Sequence, residues 1–302
     1  MPHSKDGTFI YADAAGDPSK PCLVFVHGAH LSAIVWDDLF VHHKLLDLFY
    51  LVRYDVRGHG RSGKPEASEG YTTDLYAEDF LAVMKQFNVV KPLFIGWSLG
   101  FTIAADIMAN LPSNTLFGLV SMAGLPYMEM LPDVASKTTL QYAGAMTNKE
   151  NFRGAVEACM SVADLPFAKP EEVPFDIRCA WLGTILLPSV AVRGNYFSRK
   201  QDPTKLVEAA GQGLPLCVIS GTADQVVYPK VALEELQSRF TDITLYEIEG
   251  AGHAVFYDAA EEVVDHVVSF ARRIGFTVHV TDVWAFSLMA GLQVAFDTIS
   301  ER

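Results

Sequence analysis

A chain of 302 residues, half of them apolar, can bury a substantial core and has room for one large α/β domain or two of ordinary size. Its 23 Lys and Arg against 36 Asp and Glu leave a formal net charge of −13, a sign that repels phosphate backbones and anionic lipid, so nucleic acid is excluded as an expected partner. The opening stretch MPHSKDGTFIYADAAG has no apolar segment behind a basic one, and a cytoplasmic location is the expectation.

Six short apolar runs bounded by turn residues follow one another: CLVFVHG from Cys22, LFYLVRYD from Leu48, KPLFIGWS from Lys91, LFGLVSMAG from Leu116, PLCVISGT from Pro215 and ITLYEIEG from Ile243. They are mostly continuous rather than alternating, the pattern of parallel strands buried on both faces. Helical periodicity lies between them at 75–87, 102–111, 230–240 and 260–274. Strand alternating with helix predicts an α/β fold with a mostly parallel, doubly wound sheet.

The alternation fails once. Residues 125–213 separate two predicted strands by close to ninety residues, whereas a crossover helix with short loops needs ~25. Pieces with helical character (SKTTLQYAGAMT, NFRGAVEACMSV, CAWLGTILL) are broken there by Pro166, Pro170, Pro174, Pro188 and Pro203, which predicts an inserted helical cap. The expected organisation is a core of 1–124 and 214–274, the cap at 125–213, and an apolar extension at 275–302. In that extension 283–296 reads as a packed helix, with a homodimer contact as the alternative. Fourteen apolar residues are too few for stable membrane insertion, since a span needs ~20.

Cys22, Cys159, Cys179 and Cys217 are scattered with no CxxC pair and read as small buried hydrophobes. The nine histidines include no HExxH and no pair at helical spacing, so no metal and no cofactor is expected.

The segment GWSLG, Gly96–Gly100, sits where the run PLFI gives way to a helical pattern. A serine at a tight strand-to-helix turn is pushed above the sheet, and flanking glycines relieve the crowding such a turn creates. Ser98 is therefore the candidate nucleophile. Two later strand ends open loops carrying Asp224 and His253, in the order Ser, Asp, His, with His253 as the base and Asp224 as the group that orients it. Asp258 and Glu249 lie nearer His253 in sequence and compete with Asp224 for that role. The oxyanion donors are the Leu99 amide, at a helix N-terminus, and the Ala29 amide in the loop after VFVHG, with His30 as the alternative to Ala29.

Taken together, HGAHLSAIVW, RYDVRGHGRSGKP, GWSLG, SGTADQVV and GAGHAVFYD resemble, in family order over about residues 8–274, the α/β-hydrolase family, specifically its serine hydrolases with a helical cap. The resemblance implies the α/β-hydrolase fold and assigns the Asp55–Ser62 segment, His59 included, to a structural turn. Serine rather than aspartate at position 98 argues against an epoxide hydrolase or a dehalogenase. One departure is Phe101, where many relatives carry a small residue; its ring is expected to narrow the pocket. The expected activity is hydrolysis of a small or medium apolar carboxylic ester or lactone. The same residues also admit a C–C bond hydrolase, a perhydrolase, a hydroxynitrile lyase or a ligand receptor on a hydrolase body.

Overall fold

The structure, a computed structural model, describes residues 2–148 and 150–276. The apolar stretch 283–296 lies outside the described residues. Seven strands form one sheet: β1 (Ala12–Ala15), β2 (Cys22–Val26), β3 (Tyr50–Tyr54), β4 (Leu93–Trp97), β5 (Gly118–Met122), β6 (Leu216–Gly221) and β7 (Ile243–Ile248). Their order is β1-β3-β2-β4-β5-β6-β7, with β1 antiparallel to β3 and every other pair parallel. All six predicted strands are present. The edge strand β1 has no signal in the sequence, because ADAA offers no apolar run and its four residues are only half-buried.

Alternate residues of each central strand enter opposite cores, as a pleated strand requires. Leu23, Phe25, Leu51, Leu93, Ile95 and Val120 face one layer, while Val24, Val26, Val52, Phe94 and Leu119 face the other. The second layer is closed by α1 (Thr73–Gln86) and α2 (Ile103–Asn110). Between β5 and β6 come α3 (Lys137–Met146), α4 (Phe152–Asp164), α5 (Phe175–Leu186), α6 (Val190–Ser198) and α7 (Thr204–Gly211); α8 (Pro229–Arg239) and α9 (Ala260–Arg273) follow. In α9, Val263, Val264, Val267, Val268 and Ala271 form one buried stripe, worth about 1.5–2 kcal/mol per fully buried valine. Glu261 and Glu262 in its first turn and Arg272 and Arg273 in its last complement the helix dipole.

Three helices of the insertion begin on side-chain caps: Ser136 accepts from the Thr139 amide, Asn151 from Gly154 and Ser189 from Val192. α6 and α7 lie outside the three predicted helical pieces, and α7 packs on α2 of the core. The insertion is tied to the sheet by Trp181, whose ring lies 5.9 Å from that of Trp97. No single helix among the described residues is long and apolar enough to cross a membrane.

Two sequence expectations are corrected. Cys179 is exposed on α5, whereas Cys22, Cys159 and Cys217 are buried. Phe101 does not narrow the pocket: its side chain is fully buried in the core beneath the strand-to-helix turn, against Gly124, and lies outside the cavity wall.

The glycines of GWSLG are required by contact. A Cβ on Gly96 would stand 2.4 Å from the Phe101 Cα, and one on Gly100 would stand 2.3 Å from the His27 carbonyl oxygen. Both obstacles are backbone, so neither yields cheaply. Gly100→Ala is expected to destabilise the fold by on the order of 3 kcal/mol, read as a fall in the urea midpoint at unchanged slope.

Candidate active site

β4 ends at Trp97 and a short helical turn starts at Ser98, whose φ of 53° is in the left-handed region that a residue with a side chain avoids. The chain turns there between two buried segments, and the serine, itself buried, lines a cavity. The Leu99 amide is in the first turn of the helix, where no intrahelical acceptor exists.

His253 follows β7 and Asp224 follows β6, and the parallel pairing of these strands delivers both loops to the edge at which β4 ends. The His253 Nδ1 and Asp224 Oδ2 atoms are 2.8 Å apart, with both side chains almost wholly buried. A carboxylate can only accept, so Nδ1 carries the hydrogen, and the neutral tautomer this selects has its lone pair on Nε2. Asp224 is held in turn: its Oδ1 accepts from the amides of Val226 (2.7 Å) and Val227 (3.0 Å). The Trp97 indole N–H donates to the His253 carbonyl at 2.9 Å, which connects the backbone of His253 to the strand that leads into Ser98.

Ser98, His253, Ala29, His30 and Leu99 all line one cavity of about 100 Å³. No Ser98–His253 hydrogen bond is present among those of the described residues; such a contact commonly tightens only in the substrate complex. The rest of the wall is apolar: Leu125, Leu131, Leu140, Met146 and Val162 contribute from the insertion side. Thr139 also reaches it, but its hydroxyl is spent on the Val226 carbonyl at 2.7 Å.

The two sequence competitors of Asp224 are elsewhere. Asp258 Oδ2 accepts from the amides of Gly252 (2.7 Å) and Ala168 (3.1 Å), bracing the His253 loop against the insertion, and burial raises its carboxyl above the usual aspartate range. Glu249 is exposed.

His27 has a specific place beside the cavity. Its Nε2 accepts from the Val56 amide at 3.0 Å, so its Nδ1 carries the hydrogen that the Gly28 carbonyl accepts at 2.7 Å. The Gly28 carbonyl shares a peptide plane with the Ala29 N–H, so this bond fixes the direction of that amide. Burial pushes the His27 imidazole below its ordinary range, which keeps Nε2 available as an acceptor. His30 is pushed down to about 4 by burial and by the Arg193 cation, so its ring is neutral, and it lies 5.3 Å from the Phe197 ring at a tilt of 52°. His59 is likewise driven down by burial and lies 4.7 Å from the Tyr196 ring, below the site. Among the described residues no group of three His, Cys, Asp or Glu side chains is placed to hold a metal.

A mostly parallel sheet with a serine at a strained strand-to-helix turn, and an imidazole–carboxylate pair on two later loops, defines the α/β-hydrolase class. The chain belongs to the Alpha/beta hydrolase family, whose pattern matches residues 23–266. It is similar to rhodomycin D methylesterase DauP of Streptomyces sp. (strain C5), with 26% identity over 276 residues, 83% of this chain and 91% of that protein. Its backbone resembles esterase RhEst1 from Rhodococcus sp. ECU1013, with TM-score 0.78 at 22% identity, covering 90% of this chain and 98% of that one. It also resembles the enol-lactonase from Burkholderia xenovorans LB400, with TM-score 0.71 at 19% identity, covering 88% and 98%.

Proposed function

We propose that this protein is a serine hydrolase of uncharged, apolar carboxylic esters or lactones, acting through an acyl-enzyme on Ser98. One observation carries the reading: a buried His253–Asp224 pair, tautomerically fixed, opens onto the same apolar cavity as a serine at a strained turn. The similarity to a methylesterase supports an ester as the bond broken.

In the proposed reaction the Ser98 oxygen attacks the carbonyl carbon as its proton passes to His253 Nε2, and Asp224 stabilises the resulting imidazolium. The tetrahedral oxyanion is met by the Leu99 and Ala29 amides. Collapse expels the alcohol oxygen, which takes the proton from His253. A water then loses a proton to Nε2 as it attacks the acyl carbon; the bond to Ser98 breaks, its oxygen takes that proton back from Nε2, and the acid is freed. The apolar wall favours an uncharged acyl group, because a carboxylate there would lose its hydration without a partner.

The test is turnover of p-nitrophenyl esters of increasing acyl length, with a simple aliphatic lactone and a 1,5-diketone alongside. Ester or lactone turnover supports the reading; cleavage of the diketone alone would replace it with C–C hydrolysis. Within that series, Val162→Phe is expected to lower kcat/KM for the octanoate about ten-fold or more relative to the acetate, because the ring occupies cavity space the longer chain needs. An unchanged ratio would remove Val162 from the acyl wall.

A further inference from the structure

The carbonyl of Leu99, the residue whose amide is one of the proposed oxyanion donors, is held by two hydroxyls from different parts of the fold. Thr102 Oγ1 donates to it at 2.7 Å and the Tyr196 hydroxyl, from α6 of the insertion, at 3.3 Å. Thr102 is itself pinned. Arg199, just past the end of α6, donates through Nη2 to Thr102 Oγ1 (2.5 Å), through Nη1 to the Tyr196 carbonyl (3.2 Å) and through Nε to Asp106 Oδ2 on α2 (3.1 Å). The Arg199 and Asp106 side chains are wholly inaccessible to solvent, and the guanidinium lies over the Tyr76 ring at 4.3 Å. Gln201 completes the clasp, donating to the Thr102 carbonyl and to Asp106 Oδ1, both at 2.8 Å, and accepting from the Met128 amide at 2.8 Å.

This network is more than an anchor. A buried ion pair is seldom a net source of stability against apolar residues of similar size, yet here Arg199 and Gln201 both reach Thr102, in the turn that starts at Ser98, and Asp106 on the helix that continues it. The Leu99 carbonyl shares its peptide plane with the Gly100 N–H, so the two hydroxyls fix the plane that follows residue 99 while the end of β4 fixes the chain before it, and the Leu99 N–H between them is left little room to move. Part of that grip comes from the insertion: if α6 shifts, Tyr196 and Arg199 move with it, the Leu99 carbonyl loses the Tyr196 hydroxyl, and Thr102 loses the guanidinium that pins it.

We infer that Arg199, Thr102 and Tyr196 are positioning residues that align the Leu99 amide for the oxyanion and make that alignment depend on the seating of α6. The inference rests on the ester-hydrolase reading above and adds to it a mechanical link from the insertion to the transition state. Since a misaligned donor harms only the charged state, the link acts on kcat rather than on substrate binding.

Thr102→Val keeps the side-chain shape and removes the bridge, Tyr196→Phe removes the other hydroxyl, and neither unpairs Asp106. Each is expected to lower kcat about ten-fold, and the double variant about fifty-fold, with KM within two-fold of wild type. Affinity for a trifluoromethyl ketone, which forms an anionic hemiketal on the serine, falls by the same factor as kcat. Affinity for the matching unreactive ether stays put. Arg199→Lys, which keeps the cation beside Asp106, is expected to retain more activity than Arg199→Met. Folded variants with wild-type kcat and ketone affinity would overturn the inference, as would parallel losses in ketone and ether binding. Wild type that neither hydrolyses esters nor binds the ketone would instead bring down the ester-hydrolase reading and this inference with it.

Discussion

Asp224→Asn lowers kcat by about 10⁴-fold while leaving the melting temperature within a few degrees of wild type. The contrast follows from the two oxygens of this side chain. Oδ1 accepts from the Val226 and Val227 amides, and an asparagine can do the same with its one carbonyl oxygen, so the loop keeps its shape. That choice turns the amide NH₂ toward His253 Nδ1, where Oδ2 now stands at 2.8 Å. A donor at that point requires a lone pair on Nδ1, which moves the ring hydrogen to Nε2. The imidazole would then face Ser98 with a hydrogen instead of a base. Steady-state kinetics together with a thermal melt read both halves. A loss smaller than ten-fold in a folded variant would mean that Asp224 does not set the tautomer.

Ser98→Ala is expected to have a still larger effect, reducing kcat/KM by about 10⁵-fold or to the background rate, because the acyl-enzyme has no oxygen to form on. Binding of an unreactive apolar ether is expected to persist within two- or three-fold, since the leucines, methionine and valine of the wall are untouched. Stability is expected to change little: alanine at a φ of 53° bears the same backbone strain as serine. Isothermal titration with the ether and a sensitive ester assay separate the two effects. Retained turnover would place the nucleophile elsewhere.

The parts of this molecule legible in its sequence are those whose signal is local. Runs such as CLVFVHG and PLCVISGT mark strands because both their faces are buried, and GWSLG marks its turn because backbone stands within 2.4 Å of where a Cβ would be on either glycine. β1 is invisible for the same reason in reverse: ADAA packs half-exposed at an edge and needs no apolar pattern. Residue types alone do not separate Asp224 from Asp258; the difference is which oxygen meets the imidazole and which meets the Gly252 and Ala168 amides, a matter of tertiary position. His27 and Arg199 carry even less local signal. His27 orients a peptide through a bond to the next residue that is possible only because Val56, on another strand's exit, occupies its other nitrogen. Arg199 meets Thr102 across 97 positions of chain. Cys179 and Phe101 show the limits of composition: the first is exposed on a helix that covers the sheet with its other face, and the second is absorbed by the space Gly124 leaves open.

The measurement that bears most directly on the central claim is active-site labelling of the folded wild-type protein with a fluorophosphonate, followed by intact-mass and peptide mass spectrometry. The account predicts one adduct per chain, on Ser98, forming in parallel with loss of esterase activity and slowed strongly by Asp224→Asn. A folded protein that gains no adduct, or carries it on another residue, contradicts the account.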